Sequence, residues 1–292
     1  MKGLYLILFF VFLSTALSAR KTCDKKVISY NIRYEGAPTD TGAINWQNRK
    51  EATLNMIRRE QPDVIGFQEA RPSQTRYVAD NLPEYGHIYA KMDRGEIPAG
   101  SSVLILYKKK SCKLLDWGYF WLGENPSLEQ KGWDAHNLRP SSWVKLQDRK
   151  SKTVFYYFNT HLDHRGQVAR IKGVELLIQK MKAIAGEDAH IVIGGDMNCT
   201  VNTAYDILQN GQPVNVLQPF FTWMKGGRET AAVTDDHFTF NGFNAAKVQH
   251  WIDHFFYRNG QALKFETLTG DYGAPYISDH YPIALTIRFA KH

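Results

Sequence analysis

The chain has 292 residues, of which 43% are hydrophobic and 13% aromatic, so it can build a sizeable core and is not a disordered protein. Its 36 basic and 29 acidic residues give a formal net charge of +7 without a long basic run, which favours an anionic substrate but does not select nucleic acid. Three cysteines exclude a disulfide framework and a cysteine-rich zinc site, although a Cys23–Cys112 disulfide remains permitted and Cys199 stays unpaired.

The N-terminal 19 residues have the pattern of a signal peptide. Lys2 precedes an apolar stretch from Leu4 to Leu13, which is short for a membrane span, and Ala16-Leu17-Ser18 offers a small-x-small cleavage site. We therefore expect residues 1–19 to be removed and the protein to be exported, periplasmic or secreted, without a stable membrane anchor. A retained anchor is the alternative. No linker or repeat interrupts residues 20–292, which we expect to form one catalytic domain and a monomer.

The first half of the chain alternates predicted strands and helices. A β-rich run from Lys26 to Ile32 contains Asn31 near its end, and a helix is expected from about Trp46 to Glu60. Asp63 to Phe67 has the pattern of a buried strand that ends at Glu69.

Two strand pairs are predicted next. Ser102–Tyr107 and Lys113–Phe120 should pair around the turn Lys108-Lys109-Lys110. Ser141–Leu146 and Thr153–Asn159 should form a hairpin whose second strand leads into His161.

The second half contains the clearest helix. Apolar residues repeat at helical spacing from Gln167 to Ala185, and Gly186 marks the end. A buried strand from His190 to Gly194 follows and delivers Asp196 and Asn198 to a glycine turn. Further strands are expected near Trp251–Tyr257 and Ile283–Phe289. Two packed sheets flanked by helices accommodate this order.

Polar residues follow most of these apolar runs, where a rigid scaffold can direct them into a cleft. Their types supply what phosphate-ester hydrolysis requires: carboxylates and amides for a hard cation, and imidazoles for the phosphoryl oxygens. Each residue alone is weak evidence, because an Asp or Asn after a strand is usually a turn residue. The argument rests on the whole series: Asn31, Glu69, His161, Asp196, Asn198, Asp253, Asp279 and His280.

The series resembles the endonuclease/exonuclease/phosphatase superfamily over about Val27 to Phe289, because NIR, QE, NTHL, GDMN, ID and SDHYP occur in the family's order. The resemblance implies a four-layer α/β sandwich of two mixed sheets between helices. It also implies a Mg²⁺ (or Mn²⁺) ion bound by Glu69, Asn31 and Asp279.

The remaining roles are carried over in the same way. Asp196 resembles the residue that orients or deprotonates the attacking water, and Asn198 the amide that helps to hold phosphate and nucleophile. His280, paired with Asp253, is similar to a phosphate-facing imidazole, and His161 to a second one.

Arg139 resembles an arginine that contacts the scissile phosphate, with a structural ion pair as its alternative. The roles of four residues in neighbouring loops stay open: Trp133, Asp163, His164 and Phe240.

These features predict an exported, metal-dependent phosphoesterase that uses direct water attack, with a nuclease-like phosphodiesterase acting on nucleic acid as the first expectation. A sphingomyelinase-like hydrolase and a sugar or inositol phosphate phosphatase are the alternatives within the class. A non-catalytic binding protein on the same fold is the alternative outside it, and metal-dependent turnover would separate the two.

Overall fold

The computed structural model describes residues 22–91, 102–209 and 212–290. These residues form two six-stranded sheets packed face to face, with helices on both outer faces, which confirms the predicted four-layer α/β sandwich. The predicted signal peptide lies outside the described residues. Within those residues, no helix combines the length and apolar character needed to span a bilayer.

The first sheet is mixed, with one parallel pair at its centre and antiparallel neighbours on both sides. In spatial order it contains β13 (Gln261–Thr267), β14 (Ile283–Ala290), β1 (Thr22–Asn31), β2 (Val64–Ala70), β4 (Ser102–Lys108) and β3 (Tyr85–Ile88). Strands β1 and β2 form the parallel pair, so both end at the same edge of the sandwich.

The second sheet has the same plan. In spatial order it contains β11 (Lys225–Gly226), β12 (Asp253–Arg258), β8 (His190–Asp196), β7 (Val154–His161), β6 (Pro140–Asp148) and β5 (Cys112–Trp121). Strands β7 and β8 are its parallel pair. A separate two-stranded sheet joins β9 (Ala204–Gln209) to β10 (Gln212–Asn215).

Helices cover the outer faces of both sheets. On the first sheet, α1 (Trp46–Glu60) and α2 (Pro72–Asn81) bury their apolar sides, and on the second, α3 (Gln167–Ala185) and α4 (Gln218–Trp223) do so. A 3₁₀ turn (Gly42–Ile44) precedes α1, and the short α5 (Gly227–Thr230) follows β11. A third apolar core lies between the sheets.

The structure confirms both predicted helices and the β6–β7 hairpin, but the predicted pairing of β4 with β5 is wrong. Strand β4 pairs with β2 and β3, whereas β5 pairs with β6 in the other sheet. The three-lysine turn therefore carries the chain from one sheet to the other. A short polar turn between two apolar runs is compatible with both connections, so local pattern alone did not distinguish them.

The three cysteines are buried free thiols in the structure. Cys23 and Cys112 both contribute to the core between the sheets, and burial raises the pKa of each thiol to about 11. The permitted disulfide between them is not formed.

Candidate active site

The candidate site lies where the two parallel strand pairs end. Strands β1 and β2 of one sheet deliver Asn31 and Glu69, and β7 and β8 of the other deliver His161 and Asp196. The Asn31 Nδ2 group donates to Glu69 Oε1 at 3.3 Å and to Asp196 Oδ2 at 3.0 Å. A single amide thus connects carboxylates from both sheets.

Two side chains of the site, those of Glu69 and Asn198, are positioned by an unusual backbone conformation. Glu69 (φ 65°) and Asn198 (φ 50°) both adopt the left-handed conformation, which is uncommon for residues other than glycine. Gly195 permits close contact between β8 and β7, because a Cβ there would lie 2.1 Å from the Thr160 carbonyl oxygen. Such local strain is maintained by surrounding structure and concentrates at functional sites.

Asp196 is the centre of the cluster. Its Oδ2 lies 3.3 Å from His161 Nε2 and 3.7 Å from His280 Nε2, and its Oδ1 accepts from the Asn198 backbone N–H at 2.9 Å. Burial opposes ionisation of this carboxyl, but the two imidazoles outweigh it and hold its pKa well below the usual range. The site therefore contains an ionised carboxylate faced by two histidines.

His280 and Asp253 form a direct pair. His280 Nδ1 lies 2.8 Å from Asp253 Oδ2, and both residues are buried. Burial disfavours the charged imidazole, but Asp253 and then Asp196 outweigh it and raise the pKa of His280 to about 10. His280 is consequently an imidazolium at neutral pH, with Nε2–H directed towards Asp196.

Arg139 contacts histidines within the cleft wall. Its Nη1 donates to His161 Nδ1 at 2.9 Å and its Nη2 to His164 Nδ1 at 3.3 Å, while Nε lies 3.5 Å from Asp163. Because a guanidinium only donates, both Nδ1 atoms are acceptors and the proton of His161 is on Nε2, facing Asp196. The structure thus places Arg139 where it fixes the tautomer of His161.

Glu69 and Asp279 supply negative charge beside this cluster. Asp279 is buried, and its pKa is raised by burial and by the charge of Glu69, despite opposing effects from His280 and Arg33. Arg33 Nη1 lies 3.6 Å from Asp279 Oδ2. Within the described residues, a second group of potential ligands also converges: Asp196, Asp253 and His280.

One important residue carried no sequence signal. The fully buried Arg49 of α1 donates to the carbonyl oxygens of Ile32, Arg33 and Ile277, at 2.5, 2.8 and 3.0 Å, and so fixes the segments around Asn31 and Asp279. An arginine in a helix ordinarily indicates a solvated face.

Asn241 supports the closing motif, because its backbone N–H and its Nδ2 group donate to the carbonyl oxygens of Asp279 and Ser278, at 2.8 and 3.3 Å.

The four residues whose roles the sequence left open occupy different positions relative to the cleft. Phe240 and His164 line the cleft, and the Phe240 ring meets His280 edge-on at 4.8 Å. Asp163 is buried and accepts backbone N–H groups from Asn137, Arg165 and Gly166, so it organises the loop. Trp133 is not among the cleft-lining residues.

The sequence matches the profile of the Endonuclease/Exonuclease/phosphatase family over residues 28–280. The chain belongs to this family. An endonuclease/exonuclease/phosphatase structure from Bacteroides vulgatus is 32% identical, with a TM-score of 0.80, covering 92% of this chain and 100% of that one. The mannosyl-6-phosphatase of Bacteroides thetaiotaomicron is 26% identical, with a TM-score of 0.78, covering 90% of this chain and 99% of that one.

More distant similarity extends across the family. TDP2 from D. rerio, complexed with a single-strand DNA product, is 17% identical with a TM-score of 0.67, covering 90% of this chain and 98% of that one, and shares the fold. An uncharacterized protein of Acanthamoeba polyphaga mimivirus is 23% identical over 274 residues, which cover 89% of this chain and 98% of that protein. The family is thus of hydrolytic phosphoesterases, and its described members differ in substrate.

Proposed function

We propose that this protein is a divalent-metal-dependent phosphoesterase in which water attacks the phosphorus directly. One observation carries the proposal. The Nε2–H groups of His161 and His280 converge on Asp196, next to the half-buried carboxylate Glu69 and the buried carboxylate Asp279. This combination provides donors for phosphoryl oxygens, a group that holds water, and ligands for a cation.

The carboxylates fit a hard divalent cation. The pKa of Asp279 is raised because it is buried close to a second carboxylate, a destabilised arrangement that a cation would relieve. Glu69 and Asp279 would hold Mg²⁺ or Mn²⁺, with the Asn31 amide between Glu69 and Asp196 as the neighbouring polar group. When bound, the cation neutralises phosphoryl charge and activates oxygen ligands.

The histidines, Asp196 and Asn198 have separate roles in binding the phosphate and the water. His280, held charged by Asp253, donates from Nε2 to a phosphoryl oxygen, and His161 donates from its Nε2. Asp196, whose Oδ1 is held by the Asn198 backbone N–H, is placed to orient or deprotonate the attacking water. The Asn198 Nδ2 group donates to the Leu162 carbonyl oxygen, which leaves the amide oxygen to accept a hydrogen bond from the water.

The cleft favours a small phosphate ester over a long polymer. It encloses about 1010 Å³, a size suited to a small molecule, and its exposed cations are Arg71 and Lys131. The similarity to a mannosyl-6-phosphatase supports a sugar phosphate as the substrate class. A nucleic acid, the first expectation from the sequence, is the competing class.

A substrate panel tests the proposal. Sugar phosphates, inositol phosphates, sphingomyelin, bis-nitrophenyl phosphate, RNA and plasmid DNA are incubated with Mg²⁺ or Mn²⁺ and, separately, with a chelator. We expect metal-dependent turnover, highest for a sugar phosphate. Equal activity in chelator would contradict metal dependence. Preferred cleavage of DNA or RNA would show that the substrate is a nucleic acid and not a sugar phosphate.

Calorimetric titration with Mn²⁺ tests the ligands independently of turnover. Glu69→Gln and Asp279→Asn should each weaken binding, whereas Glu84→Gln, at an exposed carboxylate, should not. Unchanged binding in both site variants would contradict the assignment.

Export is part of the proposal and rests on the sequence of residues 1–19 alone. Mass spectrometry of the natively produced protein should find an N-terminus near Arg20. An intact Met1 in a cytoplasmic pool would overturn it.

A further inference from the structure

The end of the sandwich opposite the cleft carries a concentration of exposed cations. The turn from β4 to β5 and the turn from β6 to β7 lie side by side, because Arg149 donates its backbone N–H to the Ser111 carbonyl oxygen and its Nε to that of Lys109. Together these turns expose six basic side chains, which we call the basic end: Lys109, Lys110, Lys113, Arg149, Lys150 and Lys152.

The charge of the basic end is only partly neutralised locally. A groove of about 860 Å³ between the turns is lined by Lys108, Lys110, Arg149 and Lys150. Asp63 and Asp148 share the single cation of Lys25, and Asp24 pairs with Arg288, which leaves one carboxylate charge in the groove. The four remaining cations outnumber that charge, so the groove presents net positive charge to solvent.

Two further features lie at this end. Leu115, in the irregular segment of edge strand β5, is 41% exposed close to Lys113. Strand β1 also begins at this end, at Thr22. A row of cations with an exposed leucine is the composition that favours an anionic lipid surface over an entirely polar polyanion.

We propose that the basic end is a docking surface for a membrane rich in anionic phospholipids. The negative surface potential of such a membrane attracts clustered basic side chains. Strand β1 runs from the basic end to Asn31, and its eight residue steps from Cys23 span about 26 Å. The docked protein therefore directs its cleft away from the lipid, so it takes its substrate from the aqueous side.

Vesicle co-sedimentation tests this docking. The protein as its host cell produces it is mixed with vesicles of phosphatidylcholine alone or with added phosphatidylglycerol, and binding is measured at low and high salt. We expect binding only with phosphatidylglycerol, weakened by salt because exposed charges are screened. A variant with Lys109, Lys110, Arg149 and Lys150 changed to glutamine should partition at least roughly a hundredfold less.

A matched variant controls for net charge. Arg76→Gln, Lys182→Gln, Lys225→Gln and Lys247→Gln remove the same charges from exposed positions elsewhere and should leave vesicle binding close to native. Both four-residue variants should keep native turnover of bis-nitrophenyl phosphate, which shows that they fold. Three results would each overturn the proposal: equal loss in both variants, equal binding to phosphatidylcholine alone, or binding of an oligonucleotide or heparin through the basic end without vesicle binding.

Discussion

Asp253 and His280 act as one unit in the proposed mechanism. The carboxylate accepts from Nδ1 at 2.8 Å, fixes the ring and leaves Nε2–H for the phosphoryl group. The orientation and the charge of His280 both depend on Asp253, so the energetic contributions of the two residues should be coupled.

Turnover in a double-mutant cycle measures this coupling. His280→Ala should lower kcat by roughly a hundredfold to a thousandfold, the scale for loss of a preorganised donor. Asp253→Ala should cost less, and adding it to His280→Ala should cost little more. His87→Ala, at a histidine outside the cleft lining, is the control and should have no effect. Additive losses would mean that Asp253 acts elsewhere.

The titration of His280 gives a second readout. Its pKa of about 10 is maintained by Asp253 and Asp196 against the effect of burial. Asp253→Asn removes the larger of these charges, so the pKa must fall and the imidazolium must be lost at lower pH than in the native protein. NMR titration of the His280 ring in both proteins checks the direction, and an unchanged or higher value would contradict it.

The convergence of site residues was predictable where the motif was continuous in sequence. Asp279-His280 and Asp196 with Asn198 came from such motifs, and the structure brings these residues into one cluster. Arg139 lines the cleft, where its phosphate contact stays a prediction, and its guanidinium also contacts two histidines, which depends on the separation between β6 and the loop after β7. Sequence spacing does not contain that distance.

At the scale of elements, the loop after β7 is organised by one carboxylate. Asp163 accepts the backbone N–H groups of Asn137, Arg165 and Gly166 at 3.0, 2.9 and 2.8 Å. Burial alone would raise its pKa, but these bonds hold it far below the usual range. They fix the loop that carries His164 and leads into α3, and through Asn137 they tie it to the segment before β6 that carries Arg139.

Asp163→Asn should therefore destabilise the protein by about 2 kcal/mol at neutral pH, because charged acceptors make stronger hydrogen bonds than amides. The folded-state pKa is lowered, so this stability is present above the unfolded value of about 3.9 and is lost as pH falls below it. Urea unfolding at several pH values checks both points. Asp206→Asn, at an exposed carboxylate, should be neutral, and a pH-independent difference for Asp163→Asn would contradict the account.

Helices were the most predictable elements. The structure bounds α1 and α3 as the apolar spacing and end signals predicted, and Gly186 ends α3 with a positive φ. The α2 helix was not predicted, because it is short and its buried side includes Gln74 and Thr75, which gives no apolar repeat. Strands were located, but the partners of β4 and β5 depend on contacts between sheets.

At the scale of the whole molecule, contacts between the two sheets fix their relative position around the shared site. Near the cleft, Gln68 of β2 donates to Asn159 of β7 at 2.7 Å, and Asn159 donates to the Phe67 and Leu104 carbonyl oxygens. At the other end, Lys25 of β1 pairs with Asp148 of β6 at 2.6 Å. Polar links thus connect the sheets at both ends of an apolar core.

Lys25 is the link that can be tested without disturbing the cleft. It is 3% exposed and lies between Asp63 and Asp148, so Lys25→Ala would leave two largely buried carboxylates without their cation. Breaking such a buried pair from one side typically costs about 3–5 kcal/mol. Lys26→Ala is the matched control, because the neighbouring Lys26–Glu60 pair is more exposed and should contribute less than about 1 kcal/mol.

The pH dependence identifies the cause of that loss. Burial alone would raise the pKa of Asp148, but Lys25 and the Ser151 contacts lower it. This contribution to stability is thus present above the unfolded pKa of about 3.9 and disappears as pH falls. Lys25→Ala should approach native stability in acid, and Lys25→Met with Asp148→Asn should recover much of the loss at neutral pH. Urea unfolding decides: if Lys25→Ala and Lys26→Ala cost the same, the buried Lys25–Asp148 pair stabilises the contact between the sheets no more than an exposed pair would.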